Sequence, residues 1–143
     1  MSTWRKSRDP LFRGDKKDGV EVPVPSASLS IVEHVLYLGG KGRESPFQST
    51  TESEDAAEVF AGTGGKVYRT TAARAAAKSV GHISRVELLG LLKGKGKGRA
   101  KWSSALEVMT ARKYVEQWAE HLLDFAEIPE DEVADAVEEI YAR

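Results

Sequence analysis

Apolar positions along the chain change period several times, and each change marks an element. Leu11-Phe12-Arg13 reads as a short strand ended by Gly14. Residues 20–25 contain two prolines, which suits an edge or extended segment rather than a central strand. Leu29, Ile31, Val32, Val35 and Leu36 allow either a short helix or a buried strand over 28–38, and glycines at 39, 40 and 42 then open a loop. Pro46 to Thr51 reads as a strand that turns directly into a helix over 52–61. There Thr51-Glu52-Ser53-Glu54 fits a capping box, Ala56, Val59 and Phe60 share a face, and Gly62 supplies the stop.

Lys66 to Thr70 alternates like a strand, and 71–80 is Ala-rich and helical up to Gly81. Ser84-Arg85-Val86-Glu87 is a second capping box, opening a short helix with Leu88, Leu89, Leu91 and Leu92 as core candidates. Ser103 to Met109 reads as a strand carrying Glu107. From Ala111 on, Val115, Trp118, Leu122 and Phe125 recur at helical spacing. Pro129 to Tyr141 is a helix, with acidic residues in its first turn and Val133, Val137 and Ile140 on one face.

With 143 residues, 41% hydrophobic and 30% charged, the chain has the composition of one soluble globular domain. Residues 1–9 form a basic lead-in and 10–143 the domain. No apolar run approaches the roughly 20 residues of a membrane span, and no signal-peptide pattern opens the chain. Cysteine is absent, and His34, His82 and His121 lack metal-ligand spacing, so no metal is expected. The net charge of −1 conceals a segregation: residues 101–143 hold 11 acidic against 4 basic groups, the first hundred 17 basic against 11 acidic. A basic body of this kind favours an anionic ligand or partner.

The densest charge is Lys93, Lys95, Lys97, Arg99 and Lys101, interleaved with three glycines and ending on Trp102. Alternating glycine opposes helix, and cations beside an aromatic suit a phosphate backbone with an exposed base. The equally plain alternative is a solvated surface loop. Gly62 to Lys66 is not a phosphate loop, because Phe60 and Val67 stand where that motif needs Gly and Ser/Thr.

Three motifs in order carry a resemblance: Arg13 in Pro10-Leu11-Phe12-Arg13, the hydroxyl run Ser49-Thr50-Thr51 after Phe47, and Glu107 in Ala105-Leu106-Glu107-Val108. Together they resemble the ADP-ribosyltransferases of the cholera- and pertussis-toxin type. Those carry an Arg on a first strand, Ser-Thr-Ser/Thr on a second, and a catalytic Glu on a later one. The resemblance spans about residues 10–110 and implies an α+β fold of two small packed sheets flanked by helices. It also leads to turns and strands over 111–128, against the helical spacing there, so that segment stays open.

By the same resemblance, NAD is the substrate. Glu107 hydrogen-bonds the ribose 2′-OH and is catalytic with Ser49, Arg13 holds the diphosphate or ribose, Thr50 and Thr51 support, and His34 stands where many members carry a helper His. Lys93, Lys95, Lys97, Arg99, Lys101 and Trp102 become the acceptor-binding loop. Ala105 stands two residues before Glu107, where arginine-modifying members carry Glu or Gln, and this turns the acceptor toward RNA over protein. The resemblance further implies a monomeric toxin or effector domain of a bacterial delivery protein, acting in a target-cell cytoplasm and neutralised by an immunity protein. Two rival functions are a non-enzymatic nucleic-acid-binding module centred on 93–102, and an NAD glycohydrolase using the same site with water.

Overall fold

The structure, a computed structural model, describes residues 4–6, 8–16, 20, 22–37, 44–93, 98–102 and 104–141. It is α+β: one open five-stranded antiparallel sheet with six helices among the described residues. The strands are β1 (Leu11–Asp15), β2 (Phe47–Thr51), β3 (Lys66–Thr70), β4 (Gly81–Ile83) and β5 (Glu120–Asp124), in the order β3-β1-β2-β5-β4. The helices are α1 (Ile31–Tyr37), α2 (Glu54–Ala61), α3 (Ala72–Ala77), α4 (Arg85–Leu91), α5 (Ala105–Gln117) and α6 (Val133–Ile140).

The two separate sheets expected from the sequence are therefore one. It is thin at its middle. β1 pairs with β3, and β2 with β5, at five positions each, whereas β1 and β2 share a single pair, Phe12 with Thr51. One bridged position joins the two halves into a continuous ladder and leaves room for a pocket between them.

The registers put Ser49, Thr51, Glu120 and Leu122 on one face, and Gln48, Thr50, His121 and Leu123 on the other. α1, α4 and α5 cover the first face, where Ile31, Val35, Leu88, Val115 and Leu122 form a buried cluster. α3 and α6 cover the second, with Leu11, Ala75, Leu123, Phe125 and Ile140. Trp4 of the lead-in packs back onto that second core and lies 4.3 Å from the His121 ring. Against β1 packs α2, so closely that a Cβ on Gly14 would come within 1.8 Å of the Ala57 carbonyl oxygen. Only glycine fits there.

Several sequence expectations change. Residues 105–117 are helix, not strand: Ser104 accepts from the Glu107 N–H while the Glu107 carboxylate accepts from the Ser104 N–H, a capping box like that of Ser84 and Glu87. The cap of α2 is Ser53 rather than Thr51, because the Thr51 hydroxyl donates to the Trp118 carbonyl across the sheet. Val59 is 65% exposed and so lies off the buried face of α2. The open segment 111–128 resolves into the rest of α5, a turn at Trp118 and Ala119, and β5. β4 is additional, a three-residue edge strand behind Gly81.

Candidate functional site

β2 is a strand of small hydroxyls between buried neighbours, and β5 runs beside it. Ser49 stands opposite Leu122, and Thr51 opposite Glu120, so Ser49 and Glu120 are a diagonal cross-strand pair. The Ser49 hydroxyl donates to Glu120 Oε2 at 2.7 Å. His34, on α1, reaches the same hydroxyl with Nε2 at 2.8 Å, and its Nδ1 lies 2.7 Å from Ser45 Oγ.

Burial, aided by the nearby Arg13 charge, lowers the His34 pKa to about 3, so the ring is neutral near pH 7. Ser49 has one proton and gives it to Glu120, so Oγ accepts from His34 Nε2–H. Nδ1 then accepts from the Ser45 hydroxyl, whose oxygen accepts the Phe47 N–H at 3.0 Å. The result is a one-directional chain from backbone to carboxylate: Phe47, Ser45, His34, Ser49, Glu120.

Glu120 ends that chain in an unusual state. It is 2% exposed, and its Oε1 has no hydrogen-bond partner among the described residues. Burial pushes its pKa up to about 7, against the lowering effects of the Ser49 hydrogen bond and the Arg13 charge. A carboxyl that is half charged at neutral pH, with one oxygen unsatisfied, is costly to a fold and useful to a reaction.

Arg13 spans the thin middle of the sheet. Nη1 donates to the Ser49 carbonyl at 2.8 Å, while Nε and Nη2 fork onto Asp15 at 2.7 and 3.0 Å. These three bonds leave two of its five N–H groups for a ligand. Between β1 and β2 opens a pocket of about 160 Å³, lined by Arg13, Lys16, Ser49, Thr50, Thr51 and Glu120, with Phe12, Phe60 and Trp118 as aromatic walls. The Phe60 and Trp118 rings lie 4.8 Å apart. Thr50 and Thr51 are buried and bonded to the carbonyls of His121 and Trp118, which ties β2 to β5.

Of the residues singled out in the sequence, Arg13, His34 and Ser49-Thr50-Thr51 thus converge on one place. Glu107 does not join them. It caps α5 and lines a different cleft of about 620 Å³, together with Arg99, Lys101 and Trp102. Within that cleft Arg99 forks onto Asp124 and lies over the Phe47 ring at 4.6 Å, and Trp102 packs on the core. Lys93 and Lys101 are exposed, and Lys95 and Lys97 lie outside the described residues.

Sequence reasoning missed Glu120. Its signal is Ala119-Glu120-His121-Leu122-Leu123, an acid leading into a short apolar run, hidden by the helical spacing that crosses the turn. Among the described residues no group of three or more His, Asp or Glu could hold a metal ion, and no helix is long and apolar enough to cross a membrane. No protein-family model, curated protein or solved structure matches this chain.

Proposed function

We propose that the chain transfers ADP-ribose from NAD to a macromolecular acceptor, releasing nicotinamide, and that Glu120 is the carboxylate of the reaction. One observation carries this reading: the Ser49 hydroxyl fixes Glu120 through Oε2 in a pocket shared with Arg13, while Oε1 lacks a partner among the described residues. The family that the motifs resemble carries Arg on a first strand, Ser-Thr-Ser/Thr on a second and Glu on a later one. With Arg13 on β1, Ser49-Thr50-Thr51 on β2 and Glu120 on β5, that order holds once Glu120 replaces Glu107.

Breaking the bond between nicotinamide and ribose places positive charge on the ribose, as in glycoside hydrolysis. Nicotinamide leaves with the bonding pair, which neutralises its ring, so no acid is needed. The ionised Glu120 stabilises the charge, and its Oε1 accepts a hydrogen bond from a ribose hydroxyl. Ser49 and His34 hold the carboxylate in place; Arg13 and Lys16 supply cations for the diphosphate. The aromatic walls suit a planar ring. The acceptor then contributes its lone pair to the ribose carbon and loses a proton.

With Glu120 as the carboxylate, Trp118 stands where arginine-modifying members carry Glu or Gln. An arginine acceptor is correspondingly disfavoured, and RNA stays ahead of protein. The rival reading, a pure nucleic-acid-binding module on residues 93–102, is weakened because Arg99 and Trp102 are held in internal contacts. A toxin or effector role with a neutralising partner accompanies the transferase reading.

The test is incubation with NAD labelled on its adenine, in the presence of a cell lysate. Nicotinamide release with label on RNA or protein supports transfer, and release without macromolecular label makes the chain a glycohydrolase. Absence of nicotinamide release overturns the reading.

A further inference from the structure

The hydrogen-bonded chain that ends on Glu120 passes through Ser45, which does not line the Ser49 pocket. Ser45 is 7% exposed and tightly held. Its carbonyl accepts the Val24 N–H at 2.9 Å, its hydroxyl oxygen accepts the Phe47 N–H at 3.0 Å, and Pro46 keeps its backbone extended. A serine that accepts an N–H two residues on is an ordinary turn device. That explains its oxygen and leaves its proton, which has one acceptor among the described residues: His34 Nδ1 at 2.7 Å.

That proton gives the chain a direction. Ser45, neutral His34 and Ser49 each have one proton to pass along, so the chain can point in either sense. Pointing toward the carboxylate, Ser45 donates to Nδ1, Nε2–H to Ser49, and Ser49 to Glu120 Oε2, and every proton has an acceptor. Pointing away, a protonated Glu120 donates to Ser49, Ser49 to Nε2, and Nδ1–H to Ser45. The Ser45 proton then has no acceptor among the described residues, because the Phe47 N–H already meets its oxygen. A proton held on Glu120 Oε1 fares no better, since that oxygen has no partner among the described residues. The ionised state thus keeps one hydrogen bond more than either protonated state.

We propose that Ser45 is a positioning residue for Glu120: acting through the His34 tautomer, it aims the Ser49 proton at the carboxylate and favours the charged form. Its part in catalysis rests on Glu120 being the carboxylate of the transfer reaction. Other groups act on Glu120 by charge. Arg13 and Asp15 of β1, with Lys16 behind them, line the same pocket, and α1 contributes the neutral His34. The residues of β2, α2 and α5 that line or border it, Ser49, Thr50, Thr51, Phe60 and Trp118, are uncharged. Ser45 differs from all of these, because it carries no charge and reaches the carboxylate only through its neighbours.

The test titrates the intact chain, Ser45→Ala and Ser45→Thr through neutral pH, with isotope-labelled Glu carboxyls and His rings followed by NMR. Above the Glu120 midpoint the wild-type His34 should carry its proton on Nε2. Ser45→Ala should raise the Glu120 midpoint by about one pH unit, the worth of one hydrogen bond, while Ser45→Thr keeps the wild-type midpoint. As the carboxyl protonates, His34 should move further toward Nδ1–H in Ser45→Ala than in wild type. Nicotinamide release by Ser45→Ala should fall about fivefold at pH 7, the change in ionised fraction that such a shift from about 7 gives, and recover in alkali. A merely structural loss would not recover. The NMR readouts need no NAD, so a raised midpoint without nicotinamide release in any variant supports the control of Glu120 by Ser45 and overturns the transferase reading alone. An Nδ1–H tautomer in wild type above the midpoint, an unmoved midpoint in Ser45→Ala, or a Ser45→Thr variant that titrates like Ser45→Ala would overturn the proposal. So would a loss of release that is equal at every pH.

Discussion

Glu120 and Glu107 are both carboxylates beside a serine hydroxyl, yet their surroundings differ in kind. Glu107 is a half-buried capping residue whose carboxylate accepts the Ser104 N–H at a helix start. Glu120 is buried on a strand, tied through one oxygen to Ser49 and without a partner at the other among the described residues. The first arrangement stabilises a fold. The second is costly to a fold, since an unmet buried oxygen forgoes a hydrogen bond that a ligand or a water can supply.

Exchanging the two roles gives the largest expected effect. Glu120→Gln keeps size and the contact with Ser49 but removes the charge, so nicotinamide release should fall about 10²–10³-fold. Release within threefold of wild type would break the assignment, and a large loss in a Glu107 variant instead would reverse the comparison.

The same substitution has a pH signature in stability. Glu120 titrates at about 7 in the fold against an ordinary 4.5. A raised carboxyl contributes stability that is complete below pH 4.5 and lost as pH climbs through 7. Glu120→Gln should therefore match wild type near pH 4.5 and exceed it by about 3 kcal/mol at pH 8, read by denaturant titration across pH. His34 runs the other way: its depressed pKa of about 3 gives stability present above pH 6.5 and lost as pH falls toward 3. Between pH 6.5 and 4.5 the Glu120 slope opposes those of His34, His82 and His121, whose pKa values are all lowered, so wild type should lose stability with acid less steeply than Glu120→Gln does. Nicotinamide release by wild type should rise with pH through about 7, as the carboxylate forms.

Arg13 belongs to both kinds of region, since it binds Asp15 and Ser49 as structure and faces the pocket as chemistry. Arg13→Lys keeps the charge and loses the fork. About 1–3 kcal/mol of stability should go with the Asp15 contact, and NAD affinity should weaken by a similar amount. Calorimetry with unchanged NAD affinity beside a lowered melting temperature would assign Arg13 to structure alone.

Much of this was readable from residue order. Strands at Leu11, Phe47 and Lys66, the helix stop at Gly62, the Ser84 capping box and the terminal helix after Pro129 rest on local signals that tertiary contacts did not override. Arg13, His34 and Ser49 were legible as a set because their order carries a resemblance. The carboxylate was not, for two physical reasons. Ser104-x-x-Glu107 is itself a capping box and marks a helix start, but the motif order drew Glu107 into a strand. In addition, the turn from α5 to β5 has no Gly, Pro or Asn to announce it. Ala119 takes a left-handed φ of 46° there, so the apolar spacing of Val115, Trp118, Leu122 and Phe125 runs unbroken across a helix and a strand.

The smallest effect closes the comparison from the other side. Glu107→Ala removes the carboxylate that accepts the Ser104 N–H, together with a negative charge in the first turn of α5. Ser104 still accepts the backbone N–H of residue 107, so half of the box survives. The loss should be about 0.5–1 kcal/mol, the ordinary worth of a helix cap and its charge. α5 is thirteen residues long and held by Ala111 and Val115 in the core, so it should fray at its start rather than unfold. Hydrogen exchange should accelerate at residues 105–107 and not at 111–117, while nicotinamide release stays within threefold of wild type. A drop in release without the local exchange change would mean that Glu107 reaches the chemistry by a route its capping position does not suggest.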